Sequence, residues 1–266
     1  MRALHEQPGL TDFYQHLRTA PQRALLLDYD GTLAPFRIRP EEAIPYPGVR
    51  EILDAIMESG HTRVVIVSGR WTRDLIPLLG LEHLPEIWGS HGWEQLKPGG
   101  EYAIARMSED ALRHLAEADD WTAEIEAHGG RCETKPGGLA IHWRGLAPDK
   151  VAAIRELVYQ NWVLEEMHKN LAWHDFDGGI ELRVPGRHKG FAVDAVLSDM
   201  SQGAAVAYLG DDFTDEDAFR AIHGRGTGIL VRPQFRPTAA DFWLKPPEEL
   251  LEFLQQWHEL SGGKEK

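Results

Sequence analysis

The chain has 266 residues, 42% hydrophobic and 26% charged, an ordinary globular balance that excludes disordered, collagen-like and coiled-coil classes for its bulk. Asp plus Glu total 42 against 28 Lys plus Arg, a formal net charge of −14 that repels nucleic acid and anionic membrane, so neither is an expected partner. The single cysteine, Cys132, excludes an intrachain disulfide and a Cys-rich zinc site and fits a reducing compartment.

Residues 1–20 carry charges and Pro8 where a signal peptide has an apolar run, and no stretch approaches the roughly 18 apolar residues of a membrane span. A soluble, cytoplasmic protein is the expectation. Residues 24–28 (ALLLD) form an apolar strand ending on an acid. Residues 47–60 place Val49, Ile52, Leu53, Ile56 and Met57 at helical spacing, with Gly60 as the stop. Residues 63–67 (RVVIV) read as a buried strand, 71–79 as a helix and 87–88 as a short strand. This alternation predicts a parallel sheet with helices on its faces.

The rhythm then changes. A turn at 98–100 separates 94–97 from 101–105, and residues 108–128 read as one long helix ended by Gly129 and Gly130. Hairpins are predicted for 131–135 with 139–144 and for 171–177 with 180–184, with a helix over 148–164 between them. After Gly186 the first rhythm returns: helices over 189–200, 214–222 and 247–260, strands over 204–210 and 228–231, and a polar tail from 261. The expected architecture is α/β, a Rossmann-like parallel-sheet core of residues 1–96 and 186–266. An α+β domain is inserted over 97–185.

Two acidic motifs follow buried strands. In Asp28-Tyr29-Asp30-Gly31-Thr32-Leu33, residues two apart share a face, so Asp28 and Asp30 converge at the strand end where α/β sheets bind ligands. Gly210-Asp211-Asp212-Phe213-Thr214-Asp215-Glu216-Asp217 packs five acids into seven positions, which suits a hard cation such as Mg²⁺. Helix capping from Thr214 accounts for Asp215 to Asp217 but not for Asp211 and Asp212. Metal binding is therefore assigned to Asp211, and supporting roles to Asp212 and Asp215. Ser68-Gly69-Arg70 ends the RVVIV strand, and Lys189 opens a helix; both are candidates for holding phosphate oxygens. P-loop, HExxH and GxSxG patterns are absent.

Asp28–Leu33, Ser68, Lys189 and Gly210–Asp215, in that order at strand ends, resemble the four motifs of the haloacid-dehalogenase-like phosphatases. Gly89–Glu94 (GSHGWE), Glu133-Thr134-Lys135 with His142-Trp143-Arg144, Glu181–Pro185 before Lys189-Gly190, and Gly210–Phe219 extend the likeness to the trehalose-6-phosphate phosphatase family, over about residues 22 to 258. Ser90, Trp93 and His188 depart modestly from the family pattern. The resemblance implies that Asp28 is a nucleophile forming an aspartyl-phosphate and that Asp30 is the acid and base. It implies Mg²⁺ on Asp28, the Asp30 carbonyl and Asp211, with Ser68, Thr32 and Lys189 on the phosphate. Glu133, Lys135, Arg144 and Glu181 would bond the sugar, with Arg70, His91 and Gly92 contributing from the core; His142 is left without a role. From the residues alone, Glu133 and Lys135 read equally well as a solvated hairpin face with a cross-strand ion pair. The implied partner is a small sugar phosphate, with a trehalose-phosphate synthase of the same pathway as a candidate macromolecular partner. Phosphatases of sucrose, mannosylglycerate or glucosylglycerol phosphate and a non-catalytic sugar-phosphate sensor are the alternatives.

Overall fold

In the computed structural model, which describes residues 1–5, 9–162, 170–176 and 178–262, Leu25, Leu26 and Leu27 are wholly buried in the middle of a nine-stranded sheet. In chain order the elements are β1 (Arg2–Ala3), α1 (Leu10–Thr19), β2 (Arg23–Leu27), α2 (Val49–Glu58), β3 (Arg63–Val67), α3 (Thr72–Leu79), β4 (Glu86–Gly89), β5 (Glu94–Leu96) and β6 (Tyr102–Ile104). There follow α4 (Glu109–Asp119), α5 (Thr122–Ala127), β7 (Arg131–Lys135), β8 (Gly138–His142), α6 (Pro148–Trp162), β9 (Ala172–Phe176) and β10 (Gly179–Arg183). The chain closes with α7 (Lys189–Asp199), β11 (Ala205–Gly210), α8 (Glu216–Ile222), β12 (Thr227–Val231), β13 (Phe242–Leu244) and α9 (Glu248–Ser261). No helix among the described residues is long and apolar enough to cross a membrane.

The chain divides into two compact units, Met1–Ala103 with His188–Lys266, and Ile104–Arg187. The sheet of the first unit runs β1-β13-β12-β11-β2-β3-β4-β5-β6. The six strands from β13 to β4 are parallel neighbours, and β1 and β5 pair antiparallel at their flanks. Their near-continuous apolar runs fit strands covered on both faces. Leu25, Leu27, Ile66 and Ile229 pack on one face with Leu53 of α2 and Trp257 of α9. Leu26, Val65, Tyr208 and Leu230 pack on the other with Val193 of α7 and Phe219 of α8. From β2 the chain moves outward through β3 and β4, and from β11 outward the other way through β12 and β13. The order therefore reverses between β2 and β11, which opens a crevice at their carboxyl ends.

The second unit holds a four-stranded antiparallel sheet, β7-β8-β10-β9. The boundary expected at residue 97 moves to Ile104, because Lys97 N–H donates to the Glu101 carbonyl (2.9 Å) and the turn returns the chain as β6, the edge of the large sheet. The single helix expected over 108–128 is two. The Thr122 hydroxyl donates to the Asp119 carbonyl (2.7 Å) at a helix end where two acids face the negative end of the dipole. β8 ends at His142, so Arg144 lies two residues beyond the strand. Residues 163–164 of the expected helix, Asp177 of the expected strand and residues 263–266 of the tail lie outside the described residues.

Candidate active site

The register gathers the site. Leu27 of β2 sits beside Ile66 of β3 and Leu209 of β11, so the residues just beyond these strands, Asp28, Ser68 and Asp211, converge at the crevice. Asp28 is 3% exposed. One of its oxygens accepts from Lys189 Nζ (2.7 Å), the other from the Thr32 hydroxyl (3.1 Å). Gly31, at φ +84°, makes the turn between them; a Cβ there would stand 2.2 Å from Asp211 Oδ2, so only glycine fits. Lys189 is the first residue of α7, and Gly190 behind it lets α7 close on α8: a Cβ would lie 2.5 Å from the Asp217 carbonyl.

Asp215 is fully buried and its carboxylate is saturated. One oxygen takes Lys189 Nζ (2.7 Å) and the Tyr208 hydroxyl (2.5 Å); the other takes the amides of Asp211 (3.0 Å) and Asp212 (2.9 Å). Asp211 is the opposite case, since its Oδ1 is buried without a hydrogen-bond partner. Ligand atoms of Asp28, Asp211 and Asp215 lie within 4.8 Å of one another. Of the three, Asp28 and Asp211 have coordination capacity to give, which fits a hard divalent cation. Electrostatics agree: burial pushes the Asp28 carboxyl up to about 7, with Lys189 opposing and the Asp215 charge adding. Burial, then the charges of Asp28 and Asp215, push Asp211 well above the carboxylate range. Lys189 is held charged: the two anions beside it raise its pKa against the effect of burial. A cation at this point would relieve the crowding of the two carboxylates.

Asp30 lies outside this knot. Arg70 grips it with both arms of the guanidinium (2.6 and 2.7 Å). Ser68 Oγ accepts from the Arg70 amide (3.1 Å), and the Ser68 carbonyl accepts from the His91 amide (3.0 Å). His91 and the preceding Ser90 both have left-handed backbone, φ 56° and 48°, unusual for residues with a Cβ. That strain is held by Glu94, buried, whose carboxylate takes the Ser90 hydroxyl (2.5 Å), the Thr72 amide (3.2 Å) and the Tyr102 hydroxyl (2.6 Å). The helix cap expected at Thr214 is made instead by Asp212, which accepts from the Phe213 amide (2.7 Å) and forms a capping box with Asp215.

In the second unit, Glu133 of β7 and Glu181 of β10 both pair in register with Ala140 of β8, so their side chains and those of Lys135 and Arg183 share one face. Of the alternative, a solvated hairpin face with a cross-strand ion pair, the half-buried Glu133 keeps a cross-strand contact with His142, while Lys135 departs from it. Lys135 and Glu181 are buried and joined at 2.8 Å, and Arg183 binds the second oxygen of Glu181 at 2.8 Å. Glu133 instead meets His142 (3.2 Å) and Arg131 (3.4 Å). Burial pushes Glu133 up, but the His142 hydrogen bond and the Lys135 charge prevail and bring it down to about 2; burial pushes His142 below its usual range. Arg144 lies against Gly178. Of the tryptophans in the middle of the chain, Trp88, Trp93, Trp121 and Trp143 are buried.

The sequence profile of the trehalose-phosphatase family matches residues 26–247, from β2 to the start of α9. The chain belongs to the trehalose-phosphatase family. It is 33% identical over 275 residues to an uncharacterised glycosyl hydrolase of Mycobacterium tuberculosis, covering 96% of this chain and 20% of that protein. It is 31% identical over 267 residues to a trehalose 6-phosphate phosphatase of Zea mays, covering 92% of this chain and 72% of that one. Its fold matches the C-terminal domain of C. albicans trehalose-6-phosphate phosphatase at a TM-score of 0.78 and 23% identity, covering 95% and 96% of the two chains. The chain thus spans a fifth of the mycobacterial relative's length.

Within this trehalose-phosphatase fold, sequence reasoning quoted Glu94 only as part of GSHGWE, without a role, and missed Tyr208 and Arg236. Arg236 donates to the Asp211 (3.2 Å) and Asp212 (2.6 Å) carbonyls. Arg236 and Arg232 bring positive charge to the acidic run from the loop after β12. Only the GDDFTDED motif pointed to that region; nothing in the sequence pairs an arginine 25 residues later with it.

Proposed function

We propose that this chain hydrolyses trehalose 6-phosphate to trehalose and phosphate, with Mg²⁺, through an aspartyl-phosphate on Asp28. The observation that carries the reading is the pairing of a buried Asp28, held between Lys189 and Thr32, with the unpartnered oxygen of Asp211. The carboxylates of Asp28 and Asp211 and the Asp30 carbonyl would hold the ion, whose charge allows a phosphate dianion to approach a carboxylate. Lys189, Ser68 and Thr32 orient the phosphoryl oxygens.

In the first step an Asp28 oxygen bonds to phosphorus, the bond from phosphorus to the sugar oxygen breaks, and Asp30 gives that oxygen a proton. In the second, Asp30 takes a proton from water as the water oxygen attacks phosphorus; phosphate leaves and Asp28 is regenerated. Arg70 aims Asp30 between these steps. For proton delivery the guanidinium exchanges Asp30 for the substrate, which reconciles its grip on Asp30 with a substrate-binding role. Glu133, Lys135, Arg144 and Glu181 recognise sugar hydroxyls, supported by His91 and Gly92. Charged, hydrogen-bonding side chains on one sheet face favour a polyhydroxylated ligand over an apolar one.

The test is phosphate release from a panel holding trehalose 6-phosphate, sucrose 6-phosphate, glucose 6-phosphate and nitrophenyl phosphate. Preference for trehalose 6-phosphate by at least about tenfold in kcat/KM is expected. Equal rates across the panel would remove the sugar assignment and leave a general phosphatase.

A further inference from the structure

Asp211 and Asp212 are gripped from both sides. Asp215 accepts both of their amide protons, and Arg236 donates to both of their carbonyl oxygens. We propose that Arg236, anchored by Glu216, is a positioning residue that sets the Asp211 carboxylate for the metal ion.

Arg236 comes from the loop between β12 and β13 and is 8% exposed. Its Nε donates to the Asp211 carbonyl at 3.2 Å and its Nη2 to the Asp212 carbonyl at 2.6 Å. Its Nη1 meets Glu216 Oε1 at 2.5 Å and the Pro237 carbonyl at 2.9 Å. Glu216 is itself fixed by the Thr238 hydroxyl and the Ala239 amide, both at 2.8 Å. The guanidinium lies 4.8 Å from the ring centroid of Phe213. Arg232 reaches the Asp211 carbonyl only at 3.4 Å.

One planar fork thus spans two successive carbonyls, a geometry a lysine ammonium cannot reproduce. It also places a positive charge behind a run of acids that would otherwise repel one another. With amides and carbonyls both fixed, the backbone of Asp211 has one position, and its unpartnered Oδ1 is presented without reorganisation when a cation arrives. Partners outside the ligand set commonly tune metal affinity by 10- to 100-fold, of the order expected here.

The inference rests on the metal reading above, and the experiment separates the two. Mg²⁺ binding to the metal-stripped full chain is measured by isothermal titration for wild type, Arg236→Lys, Arg236→Met and Glu216→Gln, alongside urea unfolding without metal. Arg236→Lys and Arg236→Met are expected to weaken Mg²⁺ binding about tenfold and Glu216→Gln about threefold, per folded molecule. If Arg236→Met does not fold, the other two variants decide. A role in stability alone would lower the unfolding midpoint and leave the affinity of the folded fraction unchanged; that result, or wild-type affinity in Arg236→Lys, overturns the proposal. Absence of Mg²⁺ binding by the wild type would instead sink the metal reading on which it stands.

Discussion

Tyr208→Phe isolates a single hydrogen bond at the base of the site. The Tyr208 hydroxyl is buried and lies 2.5 Å from Asp215 Oδ1, the oxygen that also accepts from Lys189. Phenylalanine keeps the ring and its edge-on contact with Phe219, 5.6 Å between centroids, so packing is preserved. What is lost is a hydrogen bond to a charged, fully buried acceptor, worth about 1.5–3 kcal/mol. At about 2–4 °C per kcal/mol for a protein of this size, the middle of that range corresponds to a fall of about 5–9 °C in melting temperature. The Lys189 bridge to Asp28 and Asp215 remains, so kcat on a small phosphate ester should fall by less than about fivefold. Thermal unfolding by circular dichroism and steady-state kinetics on the same preparation read both effects. A melting temperature within about 1 °C of wild type would refute the stability argument, and a loss of kcat matching that of Lys189→Met would show that Tyr208 does more than brace Asp215.

Asp28→Asn should abolish turnover, by more than about a thousandfold, because an amide cannot readily form the acyl phosphate. Its melting temperature should not fall, since the amide oxygen still accepts from Lys189, the amide nitrogen can donate to the Thr32 hydroxyl oxygen in place of the reverse bond, and a buried like charge is removed; circular dichroism checks the second half. Lys135→Ala leaves Glu181 still paired with Arg183, so it probes the proposed sugar-binding face without stranding that buried carboxylate. It should lower kcat/KM about ten- to a hundredfold on trehalose 6-phosphate and by much less on nitrophenyl phosphate; equal losses on both would make it structural. Protons compete with Mg²⁺ for Asp28, whose carboxyl is pushed up to about 7. Mg²⁺ affinity measured by titration should therefore fall as pH falls through 7, with the proton on the likewise raised Asp211 adding to the loss, and a flat profile from pH 5 to 8 would contradict this. The same shift has a sign in stability: the folded, metal-free chain holds this proton more tightly than the unfolded one, so its contribution to stability falls as pH rises from the ordinary value of 3.8 through about 7.

Much of the site was legible because parallel strands write themselves plainly. ALLLD and VAYLG are apolar runs that must end at a sheet edge, and the acids after them had to gather at the reversal between β2 and β11. The roles inside the acidic run were less legible. Asp215 and Asp211 look alike in sequence, yet one carboxylate is saturated by four donors and the other has an unpartnered oxygen. That difference arises from Lys189, Tyr208 and backbone amides, which only folding brings together. Long-range partners such as Arg236 leave no local period to read. The break at Asp120–Trp121 was invisible for another reason: the apolar spacing runs on, while side-chain hydrogen bonds from Thr122 and Thr134 to Asp119 stop the helix. On the second unit, alternation correctly put Glu133 and Lys135 on one face, but could not tell that Lys135 would pair with Glu181 on a strand not adjacent to its own.

The most direct measurement is paired release of trehalose and inorganic phosphate from trehalose 6-phosphate by the EDTA-stripped full chain, titrated with Mg²⁺. The account predicts no release without the ion, restoration in a saturable manner by Mg²⁺, one phosphate per trehalose, and poor substitution by Ca²⁺, whose larger and looser coordination misplaces the Asp28 carboxylate. Full activity in the metal-free protein, or no phosphate release at any Mg²⁺ concentration, would contradict it.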